Sequence, residues 1–253
     1  MDESLIYPGE QLDDLQLNGM KLIQNPKWFC FGVDAVLLSD YASKNIKKNS
    51  LVLDLCSGNG IIPILLSQKS TAAHITGLEL QKPVEEMAER SVKYNGLQDK
   101  ISMVCGNLKD APELFGKSSF QYIICNPPYK EAGGGLLTST DITAIARHEI
   151  MCSLEDVVRV SSILLEPQGK LCMIHRPERL ADIIYIMKKY RIEPKRMRFI
   201  HSYTHKSPVM LLIEGARYGN PKLFIDPPLY IYERTGVYSS EINKIYGRKD
   251  DNK

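Results

Sequence analysis

At 253 residues, 43% of them hydrophobic and 25% charged, the chain suits one large α/β domain or two small ones and has the apolar content to bury a core. A formal net charge of +2 excludes a uniformly basic coat, so any nucleic-acid surface has to be local. No apolar run approaches the roughly 20 residues that span a bilayer, and the acidic start MDESLIYPGEQLDD lacks a signal peptide's basic and apolar stretches, so the expected location is the cytoplasm.

In chain order, LQLNGMKLI (Leu15–Ile23) alternates about Asn18-Gly19 and predicts a hairpin. GVDAVLLSDYA has helical spacing, with Val33, Val36, Leu37 and Tyr41 on one face. From residue 51 strands and helices alternate: LVLDLC predicts a buried strand, NGIIPILLSQ a helix and HITGLEL a second strand. PVEEMAERSVKYNG predicts a helix with proline in its first turn, acids early and Gly96 to end it. ISMVCG and FQYIIC predict two more strands around a short helical or turn segment at DAPELF. After a long polar stretch from Asn126 to Cys152, SLEDVVRVSSILLEPQG predicts a helix opened by a capping box, Ser153 and Asp156, and stopped at Pro167-Gln168-Gly169.

KLCMIH predicts a fifth strand, PERLADIIYIMKKY a helix, and RMRFIHSY and PVMLLIEGAR a closing pair of strands with no helix between them. This order predicts a doubly wound, mostly parallel seven-stranded sheet of Rossmann-like α/β type. One domain is expected, with residues 1–50 as a hairpin and helix, 51–217 as the core and 218–253 as a C-terminal extension. The six cysteines, Cys30, Cys56, Cys105, Cys125, Cys152 and Cys172, are scattered without a C-x-x-C pair and mostly adjoin apolar runs. Reduced core thiols, and no metal, are expected.

LDLCSGNG ends the first core strand with Asp54 and places Ser57, Gly58, Asn59 and Gly60 where the chain enters a helix. Glycines there let backbone approach a ligand, and the N–H groups of the helix start face it. In the next strand TGLEL puts Glu79, followed by Leu80, at the carboxyl end, where a carboxylate accepts hydrogen bonds from the two hydroxyls of a ribose. The full G-x-G-x-x-G is absent, since Cys56 stands near its first glycine and Pro63 lies in the next turn, and no Walker lysine follows. A nucleoside without a pyrophosphate fits better, which points to S-adenosylmethionine. In CGNLKD, Asn107 and Leu108 follow the third strand at the same edge, where an amide and an apolar neighbour suit an adenine ring; an asparagine satisfying its own turn is the alternative.

FQYIIC runs directly into CNPPYKEAGGG. Asn126-Pro127-Pro128-Tyr129 resembles the N/D-P-P-Y/F/W motif of class I methyltransferases that act on an exocyclic or side-chain nitrogen. The resemblance implies a role for each residue. The Asn126 side-chain oxygen and a proline-held carbonyl accept hydrogen bonds from an amino group whose lone pair is otherwise delocalised, and Tyr129 gives a flipped base a face to stack on. Pro127 and Pro128 keep the corner rigid and remove competing donors. The glycine-rich KEAGGG after it is suited to closing over a substrate.

A wider resemblance takes in FCFGVDAVLLSDYA, LDLCSGNGIIPILL, NPPY, ARHEI, PVMLLIEGAR and LYIYERTGVYSSEINKIY. Together these are similar to the bacterial family of tRNA1(Val) adenine-37 N6-methyltransferases, Rossmann-like class I enzymes that use S-adenosylmethionine. It implies that Phe31 and Asp34 belong to a helix closing over that cofactor and that Asp54, Gly58, Gly60, Glu79, Asn107 and Asn126 surround it. Many class I enzymes carry Asp at the position of Asn107, which still supplies an acceptor. The same resemblance implies a monomer-sized enzyme modifying an adenine beside the anticodon.

Arg147-His148-Glu149 offers either a cation and hydrogen-bonding pair near substrate phosphates or a salt bridge at a helix start. Met187–Lys206 gathers Lys188, Lys189, Arg191, Lys195, Arg196, Arg198 and Lys206 with interleaved aromatics. It is either a surface for tRNA phosphates or a solvated helix end followed by a guarded edge strand. Competing functions are guanine-N2 methylation of ribosomal RNA, protein-glutamine methylation, and a non-catalytic RNA-binding protein of the same fold.

Overall fold

The computed structural model describes residues 3–28, 30–127 and 152–248. Its first hairpin pairs β1 (Gln11–Asp14) with β2 (Lys21–Gln24), antiparallel, with Asp14 opposite Lys21. Asn18 and Gly19 both take left-handed backbone, and Met20 N donates to Leu17 O across them at 2.9 Å, so the turn falls where Asn-Gly predicts it. The first strand lies earlier than the alternation suggests, because Leu15 to Met20 form a wider loop held by a bond from Leu15 N to Met20 O. α1 (Val33–Ser43) follows. It is buried on nearly every side rather than on the one face that the spacing picks out, with Ala35, Leu38, Ser39 and Ala42 as enclosed as Val36, Leu37 and Tyr41.

Seven strands make the central sheet: β3 (Leu51–Leu55), β4 (His74–Glu79), β5 (Ile101–Cys105), β6 (Phe120–Cys125), β7 (Leu165–His175), β8 (Ile192–His201) and β9 (Pro208–Arg217). Their spatial order is β5-β4-β3-β6-β7-β9-β8. β3 to β7 run parallel, while β9 is antiparallel to both β7 and β8. The closing strand pair is therefore inserted with its second member inside, and the sheet is Rossmann-like as expected. Two short segments, β10 (Phe224–Ile225) and β11 (Leu229–Tyr230), pair with β8 and cover its outer edge.

Alternation along the strands fixes the layers. Val52, Ile75, Tyr122, Ile124, Cys172 and Ile174 share one apolar cluster with α1, α2 (Ile61–Lys69) and α3 (Lys82–Tyr94). Leu53, Leu78, Ile123, Cys125, Leu171 and Met173 share the opposite cluster with α4 (Ala111–Phe115), α5 (Leu154–Leu164) and α6 (Leu180–Lys189). The capping box of α5 is present, with Asp156 N donating to Ser153 Oγ at 3.1 Å and Ser153 N to Asp156 Oδ2 at 3.3 Å. Pro167-Gln168-Gly169 does not stop the chain before a new strand. β7 begins at Leu165, and these residues form a bulge in it, with Gln168 in left-handed backbone and a register shift against β6.

After β9 the chain forms the small hairpin β12 (Tyr232–Arg234) and β13 (Val237–Tyr238), then α7 (Ser240–Ile245), which joins the α1 cluster. Cys125 and Cys172 are core thiols as expected, but Cys105 is exposed. Among the described residues no helix is long and apolar enough to cross a membrane.

Candidate active site

The helix after β3, α2, packs on one face of the sheet and the helix that precedes β7, α5, on the other, so the carboxyl ends of the neighbours β3 and β6 flank the crevice where open α/β sheets hold ligands. From β3, residues Cys56 to Gly60 turn into α2, with Cys56, Gly58 and Gly60 at φ 59°, 57° and 79°. A Cβ on Gly58 would project into open space, whereas one on Gly60 would meet Ala88 Cβ at 3.1 Å, where α2 starts against α3. Gly77 lies opposite Asp54 in β4, and a Cβ there would stand 2.6 Å from Ser57 Oγ and 2.7 Å from Met103 Sδ. Bare backbone beneath the turn is thus as necessary as the glycines in it. Only strand register puts Gly77 there, so no local motif marks it.

Asp54 is completely buried. Ser57 Oγ donates to its Oδ2 at 2.7 Å, while its Oδ1 has no hydrogen-bond partner. Burial, opposed by the Ser57 hydroxyl and reinforced by the charge of Glu79, pushes the carboxyl up to about 8. Glu79, also buried, accepts from Gly58 N at Oε2 and from Gln81 N at Oε1, both at 2.9 Å. A carboxylate has about four acceptor sites, so two backbone donors leave room for a pair of hydroxyls. Leu80 beside it exposes 38% of its surface, an unusual apolar shelf at a strand end.

Asn126 leaves β6 at the other lip of the crevice. Its Nδ2 donates to Asp34 Oδ2, in the first turn of α1, at 3.0 Å. That bond orients the amide, so the side-chain oxygen is the end left for a substrate. Pro127 is buried behind it. The loop into α1 is held by Gln24, only 2% exposed, whose Oε1 accepts from Phe31 N at 3.1 Å and from Asn59 Nδ2 at 2.8 Å. One amide thereby joins the hairpin, the start of α1 and the glycine turn. His175 ends β7 next to this corner, since Cys125 pairs with Met173. Burial above all, aided by Arg179, lowers its imidazole to about 4, and its Nδ1 accepts from Arg176 N at 2.8 Å.

The structure brings Phe31, Asp34, Asp54, Ser57, Gly58, Asn59, Gly60, Glu79, Leu80 and Asn126 to this one edge. Asn59 serves as a strut to Gln24. Asn107 is at the same edge, but its Oδ1 caps its own turn by accepting from Lys109 N at 2.9 Å, and Leu108 packs into the core. Pro128, Tyr129 and Arg147-His148-Glu149 lie outside the described residues.

The basic stretch is largely committed elsewhere. Lys188 pairs with Glu193 and Lys189 with Glu155, each at 2.6 Å, and Lys195 donates to Asn220 O. Arg196 stacks on Tyr41, and Arg198 makes a two-bond pair with Glu241. Lys188, Lys189 and Arg191 also sit where α6 leads into β8, at the amino ends of the parallel strands and so opposite the crevice.

The crevice residues fit a nucleoside with a cationic tail. Glu79 suits the ribose, Leu80 an adenine face, Gly58 a close backbone approach, and the unpartnered Asp54 Oδ1 a donor. Glu79 beside the turn, and no lysine after it, do not fit a pyrophosphate. The cofactor is S-adenosylmethionine.

The profile of the methyltransferase small domain matches residues 32–182. A tRNA1(Val) (adenine(37)-N6)-methyltransferase of Porphyromonas gingivalis strain W83 is 30% identical over 83% of this chain and 84% of its own. One of the same description from Shewanella baltica strain OS195 is 26% identical over 82% and 86%. Among solved structures, a predicted O-methyltransferase of Agrobacterium tumefaciens superposes with TM-score 0.68 at 20% identity, over 85% of this chain and 95% of that one. A geranyl diphosphate methyltransferase in complex with S-adenosylmethionine gives 0.51 at 14%, over 72% and 84%. These structures share the fold, and the sequence relatives go further: the chain belongs to the bacterial tRNA1(Val) (adenine(37)-N6)-methyltransferase family, built on the methyltransferase small domain.

Proposed function

We propose that this protein transfers a methyl group from S-adenosylmethionine to the N6 amino group of an adenine in tRNA. The observation that carries the reading is the bond from Asn126 Nδ2 to Asp34 Oδ2, which leaves Asn126 Oδ1 as an acceptor at the mouth of the crevice. When bound, S-adenosylmethionine supplies a methyl group already activated on a positively charged sulfur. The chain's own residues then have to align the nucleophile and draw its lone pair out of the ring. Asn126 Oδ1 accepts one N6 hydrogen and the carbonyl next to it in the proline corner accepts the other. With both hydrogens held, the nitrogen lone pair would be free to meet a methyl donor seated against Glu79 and the glycine turn. Glu79 and the glycine turn hold the donor, and the surplus N6 proton passes to water after transfer, so no general base is required. The relatives favour adenine in tRNA over guanine N2 or a protein glutamine, which the same acceptor pair would also serve.

The test is transfer of labelled methyl to unmodified total tRNA, followed by nucleoside analysis. N6-methyladenosine is expected with the natural protein. Asn126→Ala should lower turnover roughly a hundred- to a thousandfold, as for loss of a preorganised hydrogen-bonding group at a reacting centre, with S-adenosylmethionine affinity nearly unchanged. Undiminished turnover by Asn126→Ala would overturn the mechanism, and label appearing only in N2-methylguanosine or in protein would overturn the substrate.

A further inference from the structure

Three separate segments converge on the crevice side of the sheet. Tyr203 and His205 come from the turn after β8, Tyr232 and Tyr238 from the β12–β13 hairpin, and Tyr246 and Arg248 from the end of α7. Their rings form a continuous row. His205 stacks on Tyr203 at 5.7 Å between centroids, Tyr203 lies 5.4 Å from Tyr232, Tyr232 is 5.2 Å from Tyr238, and Tyr238 is 6.1 Å from Tyr246. The Arg248 guanidinium closes the row, 4.7 Å from the Tyr246 ring and 5.4 Å from that of Tyr238.

Core packing accounts for only part of this. Tyr232, Tyr238 and Tyr246 lean on the α1 cluster, yet all three keep partial exposure. Tyr203 and His205 carry the row outward, and His205 is exposed. The turn presenting them is tied at both ends: Lys206 N donates to Tyr203 O at 3.1 Å, and His201 Nδ1 lies 2.7 Å from Lys206 O. At its inner end the row meets the loop into α1, because Tyr246 and Arg248 line one cavity with Phe31. Lys206, Arg234 and Lys244 are exposed on the same segments.

Building on the reading of the protein as a tRNA adenine methyltransferase, we propose that this aromatic row is a binding site for unpaired RNA bases. It stacks the neighbours of the adenine that is turned toward Asn126. Extruding a base from a stacked loop leaves its neighbours without partners, and aromatic rings replace those partners without demanding a sequence. The flanking lysines and arginine take the phosphates between them.

Natural protein and variants are titrated with a short unstructured RNA carrying 2-aminopurine, whose fluorescence falls when it stacks. The natural protein quenches it. Tyr203→Leu combined with His205→Ala, two changes at the outer end of the row, should weaken binding roughly tenfold and abolish the quench. Tyr203→Phe, which keeps the ring, should retain it. An unchanged thermal midpoint and unchanged S-adenosylhomocysteine affinity show that the double variant is folded.

Full binding and quenching by the double variant overturns the proposal, as does an RNA that the natural protein neither binds nor quenches. Methyl transfer to tRNA, followed alongside, separates the two readings. Transfer with the same KM for tRNA in the double variant sinks the row and spares the reaction. A row-dependent quench, with no transfer to tRNA by the natural protein, sinks the reaction and spares the row.

Discussion

A carboxyl group enclosed as completely as Asp54 makes folding pH-dependent in a particular sense. Its folded value is raised to about 8 from the ordinary 3.8, so between these limits the native state holds a proton that the unfolded chain has released. Stability contributed by this group is present at low pH and is lost as pH rises, at up to roughly 1.4 kcal/mol per unit. His175 acts oppositely and lower down: buried and neutral, it binds its proton only near 4 when folded, against 6.5 unfolded, so it costs stability as pH falls through that interval. From about pH 6.5 to 8 the Asp54 slope is free of it. Asp54→Asn, which retains an acceptor for Ser57 and cannot ionise, is expected to flatten the decline in that window, measured by urea unfolding of both proteins. Equal slopes would mean that Asp54 ionises as readily folded as unfolded. The residues legible in the sequence, Asp54, Gly58, Gly60, Glu79 and Asn126, lie in short contiguous motifs at strand ends. Gly77 and His175 were not legible, since each matters through what the neighbouring strand sets beside it.

The hairpin shows the same limit for elements. Asn18-Gly19 announces a turn, but nothing local says that β2 will dock on α3. There Ile23 N donates to Ser91 Oγ at 3.0 Å, and the Asn95 side chain takes Lys21 N at 2.8 Å and gives to Lys21 O at 2.7 Å, as a neighbouring strand would. Arg90 adds a two-bond pair with Glu10. So anchored, the hairpin offers Gln24 as the strut between Asn59 and Phe31, with its Nε2 donating to Asp13. Gln24→Ala strands these groups in a buried setting and should cost about 2–4 kcal/mol, and it should weaken S-adenosylmethionine binding because both the glycine turn and the loop into α1 lose their tie. Urea unfolding and calorimetric titration measure the two effects. A variant as stable and as tightly binding as the natural protein would reduce the hairpin to decoration. The bulge in β7 was misread for a related reason: Pro-Gln-Gly is turn chemistry, and only pairing with β6 keeps it in a strand.

At the scale of the molecule, strand and helix order was enough to give the sheet, because parallel strands joined by helices admit few arrangements. It did not reveal what the last segment does. Leu229, Ile231, Ile242 and Ile245 are all buried and pack into the cluster around α1. Lys69, at the end of α2, donates to Ile245 O at 2.7 Å, and Arg198 on β8 grips Glu241. Removing residues 219–253 would uncover those four side chains' partners, and at about 1.5–3 kcal/mol each the loss is comparable to the 5–15 kcal/mol that holds a typical domain together. The truncated chain is therefore expected not to fold, with featureless near-ultraviolet dichroism and no cooperative melt. The full chain should melt in one transition, and Ile242→Ala alone should lower its stability by about 2–5 kcal/mol. A truncated chain that melted cooperatively and bound S-adenosylmethionine would show instead that the segment is an appendage. In that case α1, and through it Asp34 and Asn126, would owe their positions to the sheet alone.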